Sequence, residues 1–163
     1  MLRRTRIALL ATGAVALVTA ATVTVRVLGE PTYSFAAAPR AGDPACARVS
    51  AQYPDRLAGL DRADSDTKGA AVWGDGAIVV RCGFPSPRPT EDPCTQVDGV
   101  DWVWRADERR EGRQLLITYG REPAVEVQVA PDRAATDAVL VSLSGIVKPI
   151  EQSGECLSLA DTP

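Results

Sequence analysis

Histidine and asparagine are absent from the 163-residue sequence, and only two lysines accompany sixteen arginines. The absence of histidine removes the commonest general base, the Ser-His and Cys-His catalytic pairs, and most zinc sites. None of the four cysteines is spaced as Cys-x-x-Cys, so the close thiolate pair typical of a structural metal site is also missing. These absences predict a protein without metal or cofactor, and they favour a binding role over an enzymatic one.

Basic residues are unevenly distributed along the chain. Five of the eighteen lie before residue 41, where one glutamate is the only acid. The rest of the chain carries 13 basic and 20 acidic residues, a formal charge of −7. Neutralisation of phosphates supplies most of the affinity of nucleic-acid-binding proteins. A domain with this balance and no basic stripe is therefore predicted to have no nucleic-acid partner.

The first 28 residues have the pattern of a signal anchor or a signal peptide. Arg3, Arg4 and Arg6 precede an apolar stretch of nineteen residues (7–25), which as a helix spans roughly 28 Å, close to the hydrocarbon thickness of a bilayer. The arginines predict a cytoplasmic N-terminus and a C-terminal domain outside the membrane. A signal peptide usually has a shorter apolar core of about 7–15 residues, so an uncleaved single-pass anchor is favoured. Small residues at 14–16 and 18–20 leave cleavage and secretion open.

Residues 29–42, rich in alanine and proline, are predicted to be a tether, and residues 43–163 an extracytoplasmic domain. Asp43-Pro44 predicts the start of a short helix, and residues 59–69 read as a loop. Strands are predicted at residues 70–81, with a break at Gly74-Asp75-Gly76, and at residues 100–105, 114–119 and 124–130.

Residues 131–147 fit the spacing of a helix or of a strand. We favour the helix, because Pro131-Asp132 supplies a start and alanines follow. Short polar connections favour antiparallel neighbours. The predicted fold is an α+β domain, in which an antiparallel sheet of four to five strands carries two helices on one face.

Four cysteines in an exported domain predict two disulfides, for which three pairings are formally possible. Cys82 and Cys94 flank a loop that contains four prolines, and a local bridge between them is the first choice. Closing a loop of this size stabilises by roughly 3 kcal/mol if the effect is entropic. The remaining pair, Cys46 and Cys156, would tie the first helix to the C-terminal tail.

A candidate ligand surface lies around the tryptophans. Asp98 and Asp101 flank a glycine beside Trp102, and paired carboxylates next to aromatic rings can form a saccharide or glycosidase site without histidine. The alternative is that Asp98 belongs to a turn that starts a strand and that the tryptophans are core residues. In that case Arg121, which could also contact a ligand, is an ion-pair partner. The candidate residues are Trp73, Asp75, Asp98, Asp101, Trp102 and Arg121.

Several short motifs occur in a fixed order along the chain. They are Cys46, Tyr53-Pro54-Asp55-Arg56, Trp73-Gly74-Asp75, Val80-Arg81-Cys82-Gly83, Val100-Asp101-Trp102, Tyr119-Gly120-Arg121 and Val125-Glu126-Val127. In this order they resemble the actinobacterial exported family catalogued as domain of unknown function 3515. The resemblance covers about residues 44–160 and implies a small envelope-associated protein with an N-terminal apolar segment. It implies no catalytic or binding residues.

The sequence as a whole favours a membrane-tethered extracytoplasmic domain that binds or supports an envelope protein or a cell-wall component without catalysis. Its proline-rich loop (residues 85–93) is the predicted contact surface. One alternative is a small envelope hydrolase that uses carboxylates such as Asp98 and Asp101. The other is a secreted protein, released by cleavage, with a scaffolding role.

Overall fold

The computed structural model of the protein describes residues 32–105 and 112–157. Within these ranges the chain forms one eight-stranded sheet and two helices. In chain order the elements are α1 (Pro44–Ser50), β1 (Arg56–Leu57), β2 (Leu60–Ala63), β3 (Ala70–Trp73), β4 (Ile78–Phe84), β5 (Cys94–Val97), β6 (Val100–Trp104), β7 (Gln114–Thr118), β8 (Ala124–Val129) and α2 (Thr136–Val147).

All neighbouring strands are antiparallel, in the order β1-β2-β3-β4-β8-β7-β6-β5. The strands β1 to β4 follow one another as a meander. The chain then crosses to the far edge of the sheet through residues 85–93, and the strands from β5 onwards return one by one until β8 pairs with β4. The two meanders therefore join at β4 and β8, in the middle of the sheet.

The predicted α+β domain with four to five strands is wrong, because the sheet has eight strands and the described chain is mostly β. The strands β1, β2 and β5 are those that the sequence patterns do not predict. The last two read Leu-Asp-Arg-Ala and Cys-Thr-Gln-Val, with no run of β-branched or aromatic residues. Their pairing with β3 and β6 imposes the extended conformation, since a strand forms where a neighbour offers hydrogen bonds and packing.

Both helices contribute to the same core on one face of the sheet. Asp43 caps α1 by accepting a hydrogen bond from the Ala45 N–H at 2.8 Å, with Pro44 in the first helical position as predicted. The segment at 131–147 does contain a helix, α2, but it begins at Thr136. Its buried side chains recur at helical spacing: Val139, Leu140, Leu143 and Val147.

The helix-covered face of the sheet contains the largest core side chains. Trp73 and Trp102 are fully buried there, and their Nε1 atoms donate to the Pro54 carbonyl at 2.9 Å and to the Ser144 hydroxyl at 3.0 Å. Both indoles therefore have the hydrogen-bond partner that a buried indole requires. Alternate residues of the central strands pack beside them: Ile78, Val80, Cys82, Val125, Val127 and Val129.

The predicted disulfide pairing is wrong. Cys46 is bonded to Cys82, which joins α1 to β4, and Cys94 is bonded to Cys156, which joins β5 to the end of the described chain. The predicted Cys82–Cys94 bridge is local in sequence, but β4 and β5 are four inter-strand steps apart, roughly 19 Å. A disulfide needs Cα atoms closer than about 7 Å, so the strand order excludes that bridge.

No helix within residues 32–105 and 112–157 has the length and apolarity to cross a membrane. The predicted signal anchor at residues 1–28 and the first three residues of the predicted tether lie outside the described residues. From Thr32 onwards the predicted tether follows the sheet, where Tyr33 forms a parallel bridge with Ser65.

Candidate functional site

The face of the sheet opposite the helices, here called the open face, carries both apolar and charged side chains. On β4 and β8 the residues that alternate with the core positions point to this face, among them Arg81, Glu126 and Gln128. Val103, Ile117 and other residues form a second, smaller apolar cluster there. Among the described residues, two chain segments border this face and leave room between them.

The N-terminal segment (residues 33–41) borders the open face on the side of β3 and β4. The Tyr33 N–H donates to the Asp64 carbonyl at 2.9 Å, and the Arg40 N–H donates to the Gly83 carbonyl at 2.9 Å. Gly83 has φ of +120°, and a Cβ atom at this position would overlap the backbone of residues 40–41. Only glycine permits this close approach, which fixes the N-terminal segment against the sheet.

The C-terminal segment (residues 150–157) borders the open face on the side of β5 and β6. Its Ser153 N–H donates to the Gly120 carbonyl at 2.6 Å, and its Cys156 N–H donates to the Asp101 carboxylate at 3.0 Å. The Cys94–Cys156 disulfide fixes the end of the segment to β5. The segment is thus held by backbone, side-chain and covalent contacts.

A charged network lies in the middle of the open face, where β4 pairs with β8. The Glu126 carboxylate accepts hydrogen bonds from Arg81 Nε at 3.1 Å, from Arg81 Nη2, and from Gln128 Nε2 at 3.1 Å. The side chains of Arg81 and Glu126 are only 16% and 10% exposed. Arg81 also lies 4.9 Å from the centroid of the Phe84 ring, within cation–π distance. These contacts fix the orientation of the guanidinium.

A cavity of about 320 Å³ lies beside this network, and we call it the N-terminal cavity. Its wall is formed by the two aromatic residues of the N-terminal segment and its floor by side chains of β4 and β8. Its volume falls in the range of small-molecule sites. The lining residues are Tyr33, Phe35, Asp75, Gly76, Val79, Arg81, Arg113 and Gln128.

A second cavity of about 270 Å³, the C-terminal cavity, lies between the proline-rich loop and the C-terminal segment. Its lining includes an acidic, an aromatic and an apolar side chain: Glu91, Tyr119 and Leu157, of which Leu157 is 82% exposed. The predicted contact loop (residues 85–93) therefore borders a cavity on the same face as the charged network, through its residues Pro89, Thr90, Glu91 and Asp92.

The structure does not gather the six predicted ligand residues into one surface. Trp73 and Trp102 have no exposed area, so they offer nothing to a ligand. Asp75 lines the N-terminal cavity. Asp98 lies at an exposed turn with φ of +50°, between β5 and β6.

Asp101 and Arg121, the other two predicted ligand residues, are buried against the C-terminal segment. The Asp101 carboxylate is 1% exposed and accepts hydrogen bonds from Gln96 Nε2 at 3.1 Å, Gln152 Nε2 at 2.9 Å and the Cys156 N–H. With three N–H donors, this carboxylate has an anchoring role in the fold.

Arg121, which is 4% exposed, donates to the Gly99 carbonyl, to the Gln152 side chain at 2.7 Å, and to the carbonyls of Lys148 and Ile150. Burial lowers the pKa of Arg121, and the charge of the nearby Asp101 offsets part of this effect. The guanidinium fastens the chain where it leaves α2 and turns onto the open face.

The predicted ligand residues do not include Arg81, Arg113, Glu126 or Gln128. A signal for two of them was present, because Glu126 and Gln128 alternate with the core valines of β8 and must face the other side. Their meeting with Arg81 depends on the pairing of β8 with β4, which no local pattern indicates. Among residues 32–105 and 112–157, no cluster of three cysteines or acidic residues has a geometry suited to a metal ion.

The family model described as "Protein of unknown function (DUF3515)" matches residues 6–155 of the chain. The match confirms the family that the sequence motifs predict. No curated protein and no solved structure matches the chain.

Proposed function

Because the chain belongs to the DUF3515 family, whose function is unknown, we propose a function from its geometry: a binding module without catalysis, displayed outside the cell membrane, that holds another component of an actinobacterial cell envelope on its open face. The membrane attachment is the uncleaved apolar segment at residues 7–25. The partner is an envelope protein or a cell-wall component.

The observation that carries this proposal is the charged network on the open face. A carboxylate and a guanidinium that are 10% and 16% exposed are costly to desolvate unless they are well paired. Here they lie between two cavities, and the N-terminal and C-terminal segments border them. Such a concave surface, with apolar walls and a few fixed polar groups, is typical of ligand sites.

Support for a role without catalysis comes from the carboxylates. A hydrolase built on Asp98 and Asp101 needs two carboxylates that face the same substrate. Asp98 lies at an exposed turn, whereas Asp101 is buried and accepts three hydrogen bonds. Neither geometry favours the hydrolase alternative.

The location outside the membrane is supported by the arginines before the apolar segment and by the two disulfides. Disulfides persist in oxidising compartments and are rare in the cytosol. A reporter enzyme that is active only outside the membrane, fused after residue 163, should therefore be active. An inactive reporter in an abundant fusion would contradict the predicted orientation.

Site-specific photocrosslinking in cells tests the binding surface. A photoreactive residue in place of Val79, which lines the N-terminal cavity, should give a crosslinked product of higher mass. The matched control is Val141, a valine on α2 that is 52% exposed, so it faces away from the sheet. Products from position 141 alone, or equal products from both positions, would contradict a binding role for the open face.

A further inference from the structure

The N-terminal cavity is lined by two side chains of opposite charge that have no ion-pair partner among the described residues. Asp75 and Arg113 both line it, and neither has an ion-pair partner among residues 32–105 and 112–157. The other charged lining residue, Arg81, is neutralised by Glu126. The cavity therefore offers one anion and one cation, with no net charge.

Arg113 is held at the rim so that part of its guanidinium is free. Its Nη1 atom donates to the Gly76 carbonyl. A Cβ atom on Gly76 would lie 3.6 Å from Arg113 Nη2 and 3.5 Å from Tyr33 Cε1, so the guanidinium and the tyrosine ring both lie against this glycine. A guanidinium has five N–H donors in a planar fork, and the remaining donors can meet a carboxylate.

Asp75 is held by an unusual backbone turn. Gly74, Asp75 and Gly76 have φ of +57°, +50° and +79°, and the turn is closed by the Ala77 N–H, which donates to the Gly74 carbonyl at 3.0 Å. Asp75 directly precedes Gly76, the glycine that Arg113 contacts. Because Asp75 and Arg113 line the same cavity, one small ligand can contact both residues.

The walls of the cavity supply apolar contact beside the charges. Tyr33 and Phe35 lie on one side and Val79 on the floor. Phe35 is fixed through its backbone, because its N–H donates to Thr67 Oγ1 at 3.1 Å and its carbonyl accepts from the same hydroxyl at 3.2 Å. Aromatic walls with a fixed backbone favour an apolar or aromatic group on the ligand.

We propose that the N-terminal cavity binds a zwitterion of the amino-acid or short-peptide type. Its ammonium group pairs with Asp75, its carboxylate pairs with the free edge of Arg113, and its side chain packs on Tyr33 and Phe35. This inference rests on the proposed binding function of the open face and names the class of ligand. A ligand with both charges satisfies both free groups, whereas a simple anion or cation leaves one of them unpaired.

The test is a titration of the purified full-length protein in detergent micelles, followed by amide chemical shifts, with alanyl-phenylalanine as the probe. N-acetylation removes its positive charge, and C-terminal amidation removes its negative charge. Each blocked probe should bind about tenfold more weakly than the zwitterion, which corresponds to about 1.4 kcal/mol. Free phenylalanine carries both charged groups on one carbon atom. Comparison of its affinity with that of the dipeptide therefore distinguishes an amino-acid site from a peptide site.

Two substitutions assign the charges to residues. Asp75→Asn should weaken binding of the free dipeptide about tenfold but leave binding of the N-acetylated probe unchanged, because the partner charge is already missing. Arg113→Gln should likewise weaken binding of the free dipeptide about tenfold and leave binding of the amidated probe unchanged. The matched controls are Asp98→Asn, at another Asp-Gly turn with φ of +50°, and Arg56→Gln, which replaces an exposed arginine that donates to a glycine carbonyl at 3.0 Å.

Two outcomes would refute the proposed ligand class. The first is no change in the amide chemical shifts of the cavity residues with the free dipeptide or with phenylalanine up to about 10 mM. The second is equal affinity for the free and the blocked dipeptides. If position 79 still gives crosslinked products in cells, only the zwitterion is refuted and the binding function stands. If crosslinked products from position 79 are also absent, the proposed binding function is refuted together with the proposed ligand class. Amide spectra of each variant with the wild-type dispersion show that a loss of binding is not a loss of folding.

Discussion

The stability of the domain should depend strongly on Arg121, which fastens the C-terminal segment. Its guanidinium is 4% exposed and makes hydrogen bonds to three backbone carbonyls and to the Gln152 side chain. Replacement by methionine keeps an unbranched apolar chain but removes all of these donors. We therefore use Arg121→Met to measure what the anchor contributes.

The expected loss follows from the buried acceptors. Hydrogen bonds to a charged group contribute about 1.5–3 kcal/mol each, and buried groups left without a partner cost about 1–3 kcal/mol. The methionine regains about 1–2 kcal/mol by burial of apolar surface, and water can reach some carbonyls at the edge of the sheet. Arg121→Met should lower the free energy of unfolding by about 3 kcal/mol. Arg121→Lys should recover only part of this lost stability, since one ammonium group cannot donate to all the acceptors that the planar guanidinium reaches.

Equilibrium unfolding in urea, with both disulfides intact, measures the effect. With an m-value of about 2 kcal/mol per molar urea, the midpoint for Arg121→Met should fall by about 1.5 M. Amide exchange at Ser153 should also accelerate, because the C-terminal segment remains tied by Cys94–Cys156 but loses its anchor.

The control is Arg56→Met. Arg56 pairs with Asp61 at 2.9 Å, but the two side chains are 68% and 81% exposed, so the change should stay within about 0.5 kcal/mol. A loss below about 1 kcal/mol for Arg121→Met, or full stability for Arg121→Lys, would refute the anchoring role of the guanidinium.

Three further predictions concern the rest of the fold. Gly83→Ala should lower the free energy of unfolding by more than about 3 kcal/mol, because Cβ would overlap the N-terminal segment; Gly145→Ala, in open space within α2, should raise it by about 0.5–1 kcal/mol. NMR titration should give Asp43 a pKa below its usual value of 3.8, since its carboxylate accepts the Ala45 N–H. A depressed folded-state pKa means that this stabilisation is present above the unfolded-state pKa and is lost as the pH falls through the folded value; a pKa at or above 3.8 would contradict the cap. Peptide mapping without reduction should recover Cys46–Cys82 and Cys94–Cys156 and no Cys82–Cys94 peptide.

Local chemistry in the sequence predicts individual elements well. Asp43-Pro44 indicates the start of α1 because the carboxylate and the missing proline N–H both suit a helix N-terminus. The valines of β8 alternate with Glu126 and Gln128, so one face of that strand must be apolar. The residues Gly74, Asp75 and Gly76 all adopt positive φ and separate β3 from β4.

What local chemistry does not determine is which elements meet. The order of the strands depends on the crossing of residues 85–93 from the centre of the sheet to its edge. The disulfide prediction failed at the same step: Cys82 and Cys94 are near in sequence, but the crossing places their strands four inter-strand steps apart. An edge strand such as β5, whose residues are mostly exposed, has little apolar pattern of its own to reveal it.

The same limit explains why the rarest residues did not mark the candidate site. Trp102 and Asp101 are neighbours in sequence, but alternation along β6 sends the indole to the helix-covered core and the carboxylate to the open face. The carboxylate then meets donors from a segment more than fifty residues later. The two therefore cannot form one site, whatever their proximity in the chain.

The polar residues that do meet, Arg81 and Glu126, are 45 positions apart and face each other because β4 and β8 join the two meanders. The candidate site thus follows from the junction of the meanders, and its chemistry should be sought where the two halves of the sheet join.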